Sequence, residues 1–255
     1  MPIARAVPAM PCLSRSPARS SHPVGQRLGE GVEQQENIAA MTSTPLAGER
    51  LRAALDALAA IDLDVARELA RIGYPPARQR DPGFATLVRI VAAQQVSTAS
   101  AAAVWNRLEL ALAGEISPER LLALGEAGLR AAGFSGRKAG YALGLAAAVA
   151  AGELDLPGLP LLDEDAAIER IVRLRGFGRW SAEIYLLFAL GRADTFPADD
   201  LAVQIAFQRL KRLEARPTAK ALRVLAEPWR PFRGAGAVFL WHYYGAATLD
   251  EAPTA

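Results

Sequence analysis

Between residues 49 and 244 the chain repeats one pattern. Apolar positions return every three and four residues, and strand-like alternation is scarce. The periodicity predicts helices over 49–60, 62–73, 84–94, 98–112, 118–124, 136–151, 163–173, 178–190, 200–213, 218–226 and 232–244. Gly and Pro punctuate most of the joints, so the fold class read from the pattern is all-α. Two helical lobes are expected, one built from the middle helices and one from the N- and C-terminal helices, with a cleft at their junction. The first forty residues differ: they carry Pro8, Pro11, Pro17 and Pro23, many Ser and Arg, and little periodicity. That composition reads as disordered, and the organisation expected is an extension over 1–45 and a helical domain over 46–250. Met41 restarts the chain just before a helix, which reads as the true start with a misassigned extension before it. The Arg-rich, acid-poor stretch before Glu30 also suits a targeting peptide, but it lacks the apolar core of a secretory signal. The Ala-rich run over 139–152 is too short for a membrane span and reads as a buried helix.

One joint stands apart. The run L-R-G-F-G-R-W-S-A-E occupies 174–183 and D-T-F-P-A-D-D occupies 194–200. Ile168, Ile171 and Val172 give one helix its apolar face, which Gly176 and Gly178 then interrupt. Trp180, Ile184, Leu187 and Phe188 follow at i, i+4, i+7 and i+8, the face of a second helix. Free N–H groups at that helix start, near 178–181, suit a phosphate. A Gly-x-Gly alone is as readily an ordinary turn. Beyond it, Pro197 and the pair Asp199–Asp200 precede the apolar set Leu201, Val203, Ile205, Phe207 and Leu210, a helix entry with an Asp as N-cap. Capping accounts for one aspartate more easily than for two. A carboxylate facing a phosphate-binding hairpin repels its ligand unless it has a task.

These residues resemble the helix–hairpin–helix Gly/Pro…Asp DNA glycosylase superfamily, and within it the alkylation-repair branch, the 3-methyladenine DNA glycosylases of type II. Further stretches carry the resemblance: A-A-Q-Q-V-S-T-A-S-A-A over 92–102, A-A-G-F-S-G-R-K-A over 131–139, F-P-A-D-D, and W-R-P-F-R-G-A-G-A-V-F-L-W over 229–241. It spans roughly residues 81 to 245. The resemblance implies that Asp200 is the catalytic carboxylate, with Asp199 a cap or orienter. It implies a base pocket with Trp180 and Trp241, to which we add Tyr185. Some relatives carry a tyrosine one residue earlier, at the position of Ile184, and one residue turns a helical side chain by about 100°. Gln95, with Gln94 and Ser97 beside it, matches the element that fills the gap left by a flipped base. Gly176, Phe177, Gly178, Arg179 and Ser181 complete the expected DNA contacts. Main-chain oxygens of Val172, Leu174 and Phe177 match positions that hold a monovalent cation, Na⁺ or K⁺, touching a phosphate. No other cofactor is expected.

The chemistry is consistent with that set. An enzyme that reaches a glycosidic bond must take the nucleotide out of the stack. Purines alkylated at N3 or N7 are cationic, so their bond is already weak and an aromatic pocket selects them through cation–π attraction. A carboxylate can stabilise the oxocarbenium-like sugar or activate water. In strand-nicking relatives a lysine stands at the position of Trp180. Here the lysines are Lys138, Lys211 and Lys220, so base removal without a lyase step is expected. Cys12 is the single cysteine, which excludes an internal disulfide and an iron–sulfur cluster and fits a reducing cytoplasm.

Net charge is only +2, but residues 170–233 hold thirteen Arg and Lys against six Asp and Glu, a local +7. That excess reads as a DNA-binding footprint, or as solvated helix faces. Gly133–Lys138 resembles a weaker second backbone-contacting turn, with Arg137 or Lys138 on phosphate. His242 on an apolar helix reads as structural. The partner expected is double-stranded DNA with damaged bases, bound by a monomer, with no membrane. Two rivals stay open: a glycosylase for deaminated or mismatched bases, and a non-catalytic helix–hairpin–helix binding protein.

Overall fold

Polar residues at the joints become helix caps. The computed structural model describes residues 46–76 and 78–250, with side chains through 246; the 1–45 extension and Cys12 lie outside them. Eleven α-helices occur among the described residues: α1 Gly48–Ile61, α2 Leu63–Ile72, α3 Phe84–Ala93, α4 Thr98–Ala111, α5 Pro118–Ala131, α6 Gly136–Ala150, α7 Glu164–Val172, α8 Arg179–Phe188, α9 Leu201–Leu210, α10 Ala219–Leu225 and α11 Arg233–Asp250. Asp62, Ser97, Ser117, Ser135, Asp163, Asp200 and Thr218 each accept a first-turn N–H of the helix they precede, which satisfies donors the helix cannot pair itself. Two helices with glycine N-caps, α3 after Gly83 and α8 after Gly178, have no side-chain cap. No described helix is long and apolar enough to cross a membrane.

The pattern placed each helix within a few residues, with two larger misses at C-terminal ends. The last helix runs to Asp250 rather than 244. Helix α5 was expected to stop at 124, yet it resumes after Gly125, which sits at φ +67° inside it. Glycine adopts that angle at no steric cost, and burial of Leu129 draws the next turn back onto the core. Two 3₁₀ turns, Leu159–Leu161 and Glu227–Trp229, are too short to leave a periodic trace.

Two apolar clusters organise the helices. The first joins α3 to α8 around Leu87, Val91, Leu108, Leu145, Ile171 and Tyr185. The second joins α1, α2 and α9 to α11 around Leu55, Leu58, Phe207, Trp229 and Phe239. Helix α8 serves both, with Leu186 in the first and Leu187 in the second, while Phe188 and Trp241 pack against both. The expected grouping of middle helices against terminal ones therefore appears as two cores.

Asp62 fastens the second cluster. It is 8% exposed, caps α2 through Asp64 N and Val65 N, and accepts the Lys211 ammonium at 2.6 Å and the Trp229 indole N–H at 2.7 Å. Burial alone would raise its pKa. The Lys211 and Trp229 hydrogen bonds outweigh burial and hold the carboxyl below its ordinary value. A depressed folded pKa contributes stability above the unfolded value of about 3.9, and that contribution is lost as pH falls through the lower folded value. Asp62→Ala should cost about 3 kcal/mol at neutral pH. Urea denaturation against pH should show the deficit shrinking below about pH 4.

Candidate active site

The first turn of α9 cannot pair its own N–H groups, and Asp200 supplies the acceptor: its Oδ1 takes Val203 N at 3.0 Å. The same carboxylate receives two indoles. Trp180 Nε1, from the first turn of α8, donates to Oδ2 at 2.9 Å. Trp241 Nε1, from α11, donates to Oδ1 at 3.1 Å. Three N–H donors from three helices thus fix the plane of one partly exposed carboxylate. It opens on a cavity of about 890 Å³ whose walls include Gln94, Gln95, Lys138, Tyr141, Gly178, Trp180 and Leu201. Leu201 is 55% exposed there, an apolar side chain left at the mouth.

The hairpin is braced from two sides. Gly176 has φ +93°, and a Cβ there would collide with the Tyr141 ring, so glycine is needed for both angle and approach. Gln94 donates through Nε2 to Gly176 O at 2.8 Å and to Ser181 Oγ at 3.2 Å. The loop after α3 and the hairpin are therefore one bonded unit. Gln95, at φ 55°, is exposed beyond it, and Ser97 caps α4. Gly178 is exposed, and a Cβ there would meet nothing. The α8 start therefore presents uncapped N–H groups to solvent, the geometry an anion requires.

Several expected placements change. Tyr185 is fully buried, accepting Gly83 N at 2.9 Å, and does not line the cavity, because one residue beyond the pocket face turns it into the first core. Trp241 reaches Asp200 but is not among the cavity-lining residues; its ring lies tilted against Phe188, 5.5 Å between ring centres. The second aromatic on the wall is Tyr141, which shares a helical face with Lys138. Phe177 is buried. Ser181 is only 2% exposed and serves as a strut for Gln94. Asp199 is no cap; that role belongs to Asp200, and Asp199 pairs with Arg223 at 2.6 Å. His242 lies 3.3 Å from Ile72 O, a structural contact.

The basic stretch is largely engaged internally. Arg179 turns to Glu183 at 2.9 Å, and Arg230 and Arg233 close on Asp194 and Glu227. Lys211 closes on Asp62 and Asp64. Arg179, Arg230 and Arg233 are held by acids of the same stretch and Lys211 by two acids outside it, so the free cationic face is smaller than the local charge count suggests. Glu183 was missed altogether. It is 1% exposed and binds Arg223 at 2.7 Å as well as Arg179. Burial pushes its pKa up, against the pull of the two arginines. Arg223 also donates to Phe196 O at 3.2 Å, so it ties α8 to the strand of chain that delivers Asp200. Lys138, partly buried with its pKa lowered by that burial, donates to Ala92 O at 2.8 Å and secures the end of α3.

An all-helical protein with a glycine hairpin braced for phosphate, and a carboxylate presented beside it, defines a helix–hairpin–helix site built for nucleic acid. The chain belongs to the HhH-GPD superfamily of base excision DNA repair proteins, whose family model matches residues 88–231. It is 33% identical over 190 residues to DNA-3-methyladenine glycosylase 1 of Schizosaccharomyces pombe, covering 72% of this chain and 83% of the relative. Its structure resembles that of a 3-methyladenine DNA glycosylase of the same yeast solved with abasic DNA, with TM-score 0.67 and 30% identity over 79% of this chain and 99% of the other. A DNA-3-methyladenine glycosidase from Bacillus halodurans superposes with TM-score 0.65 and 25% identity, over 81% and 94% of the two chains.

Gly176→Ala should destabilise the fold by about 1–2 kcal/mol from the backbone angle alone. It should also weaken binding to undamaged duplex, read by fluorescence anisotropy. Arg223→Ala should lower stability by on the order of 2 kcal/mol, less than for a fully enclosed pair because Arg223 keeps solvent contact. Chemical denaturation measures that loss.

Proposed function

We propose that this protein is a monofunctional base-excision glycosylase that hydrolyses the N-glycosidic bond of alkylated purines in duplex DNA, of the 3-methyladenine and 7-methylguanine type, and leaves an abasic site. The observation that carries the reading is Asp200, fixed by the Trp180 and Trp241 indoles at the edge of a cavity beside the hairpin. The hairpin and the α8 start hold the backbone, Gln95 enters the duplex, and the target nucleotide swings into the cavity. Unstacking costs a few kcal/mol, least for a damaged pair. A cationic alkylated base meets the aromatic walls of Trp180 and Tyr141, each contact contributing about 0.5–2 kcal/mol. The C–N bond breaks with its electron pair going to the base, which leaves neutral. Asp200 faces the positive sugar that remains. Water adds its oxygen to the anomeric carbon and gives up a proton, to Asp200 or to bulk water.

The absence of a lyase step is supported by an indole where an amine would be needed and by the engagement of the cavity's lysine, Lys138, with Ala92 O. A monovalent cation fits the hairpin as a proposal. Helix α7 ends at Val172, where carbonyls lose their helical partners, and Leu174 O accepts only Phe177 N among the backbone bonds described. Main-chain oxygens of Val172, Leu174 and Phe177 would hold it, and it would add positive charge for a phosphate. The protein is proposed to act as a monomer in the cytoplasm.

Methylated DNA with released bases resolved by chromatography tests the reading. Wild type should release methylated purines, and Asp200→Asn should lose at least about a hundredfold in rate while still binding duplex. Binding without release from methylated, deaminated or mismatched DNA would show a binding module instead. Borohydride should trap no covalent adduct; an adduct lost in Lys138→Gln would overturn the monofunctional reading.

A further inference from the structure

Helices α3 and α8, ten residues each, pack side by side away from the catalytic cavity, and each reaches about 15 Å from it. There a second cavity of about 750 Å³ opens at the α3 N-terminus and the α8 C-terminus, and Arg78, Arg80 and Arg89 all line it. None of the three has a carboxylate partner among the described residues. Arg80 is half-buried, and its pKa is lowered by that burial first and then by Arg89 and Arg78. Arg89 lies over the Trp105 ring, 4.9 Å from its centre. Trp105 also lines the cavity; it is 5% exposed, and its buried Nε1–H has no partner. Two acids, Asp81 and Glu109, stand on the wall, and neither pairs with the arginines. The uncapped first turn of α3 adds backbone N–H groups at Phe84 and Ala85.

A desolvated guanidinium without a counter-ion is unfavourable, and two like charges beside it make it more so. Elsewhere in this fold buried arginines meet carboxylates, as Arg233 and Arg223 do. Arg80, half-buried, and the exposed Arg78 and Arg89 stand without carboxylates around a cavity that also has a helix N-terminus in its walls, an arrangement suited to an anion from outside the chain. We propose that this cavity is a second anion site that takes a phosphate group, remote from the carboxylate of Asp200. The phosphate belongs either to a free phosphorylated ligand or to a stretch of DNA backbone beyond the lesion.

The four tryptophans make the site readable. Trp180, Trp229 and Trp241 donate their indole N–H to carboxylates, whereas Trp105 does not. In ¹⁵N-labelled protein the Trp105 indole signal, assigned with Trp105→Phe, should shift saturably on titration with inorganic pyrophosphate. Arg80→Gln and Arg89→Gln should each weaken that response about tenfold or more, with the other three indole signals in place as the control for folding. Titration with an undamaged duplex separates the sources. A Trp105 shift that Arg80→Gln removes assigns the phosphate to DNA backbone. A duplex that moves Trp180 but leaves Trp105 still assigns it to a free phosphorylated ligand. Pyrophosphate that leaves Trp105 unmoved, or that binds Arg80→Gln as it binds wild type, overturns the proposal.

Discussion

Three N–H groups converge on the carboxylate of Asp200, and the arrangement of helices around the site follows from that convergence. One donor belongs to the helix that Asp200 starts, and the other two are indoles from α8 and α11. An acceptor that takes three such bonds has little freedom to rotate. The consequence for packing is direct. Helix α8 must bring Trp180 to the carboxylate from one core while α11 brings Trp241 from the other. Phe188 and Trp241 fill the space where the two clusters meet. The site is therefore as rigid as the contact between the cores, a condition that positioned chemistry requires.

A second tier of charge supports the first. Glu183, one turn along α8 from Trp180, holds Arg179 and Arg223, and Arg223 holds Asp199 and Phe196 O. A buried ion pair of this kind contributes little net stability, because desolvation offsets attraction. Its effect is geometric. The network leaves Asp199 no freedom to compete with Asp200 for the helix end, so the choice between two adjacent aspartates is made by an arginine twenty-four residues away.

Much of this was legible in the chain. Helix positions followed from period, and the hairpin and Asp200 stood out because glycine spacing and a carboxylate at a helix start have local chemical meaning. What stayed hidden depended on partners distant in sequence. Tyr185 reads as one of several aromatics near the hairpin, and its packing in the first core and its bond to Gly83, across more than a hundred residues, depend on partners remote in sequence. Tyr141 gave no signal beyond lying on the Lys138 face, since its role is to cover Gly176. Within 170–233, Lys211 looked free because Asp62 and Asp64 lie outside that stretch. Charge counting in a window is blind to such pairing, whereas periodicity is a local property and survives.

The two bonds from Gln94 to Gly176 O and Ser181 Oγ have a consequence for how such a protein surveys a duplex. On the function proposed above, the residue that probes a base pair and the turn that grips a phosphate cannot move independently, because one amide joins them. The interval between gripped phosphate and tested pair is then a constant of the protein, like the gap of a caliper. Each step along the strand presents one nucleotide at that interval. A pair that yields to the probe is already in register with Asp200 when it opens, and no later search for alignment is needed.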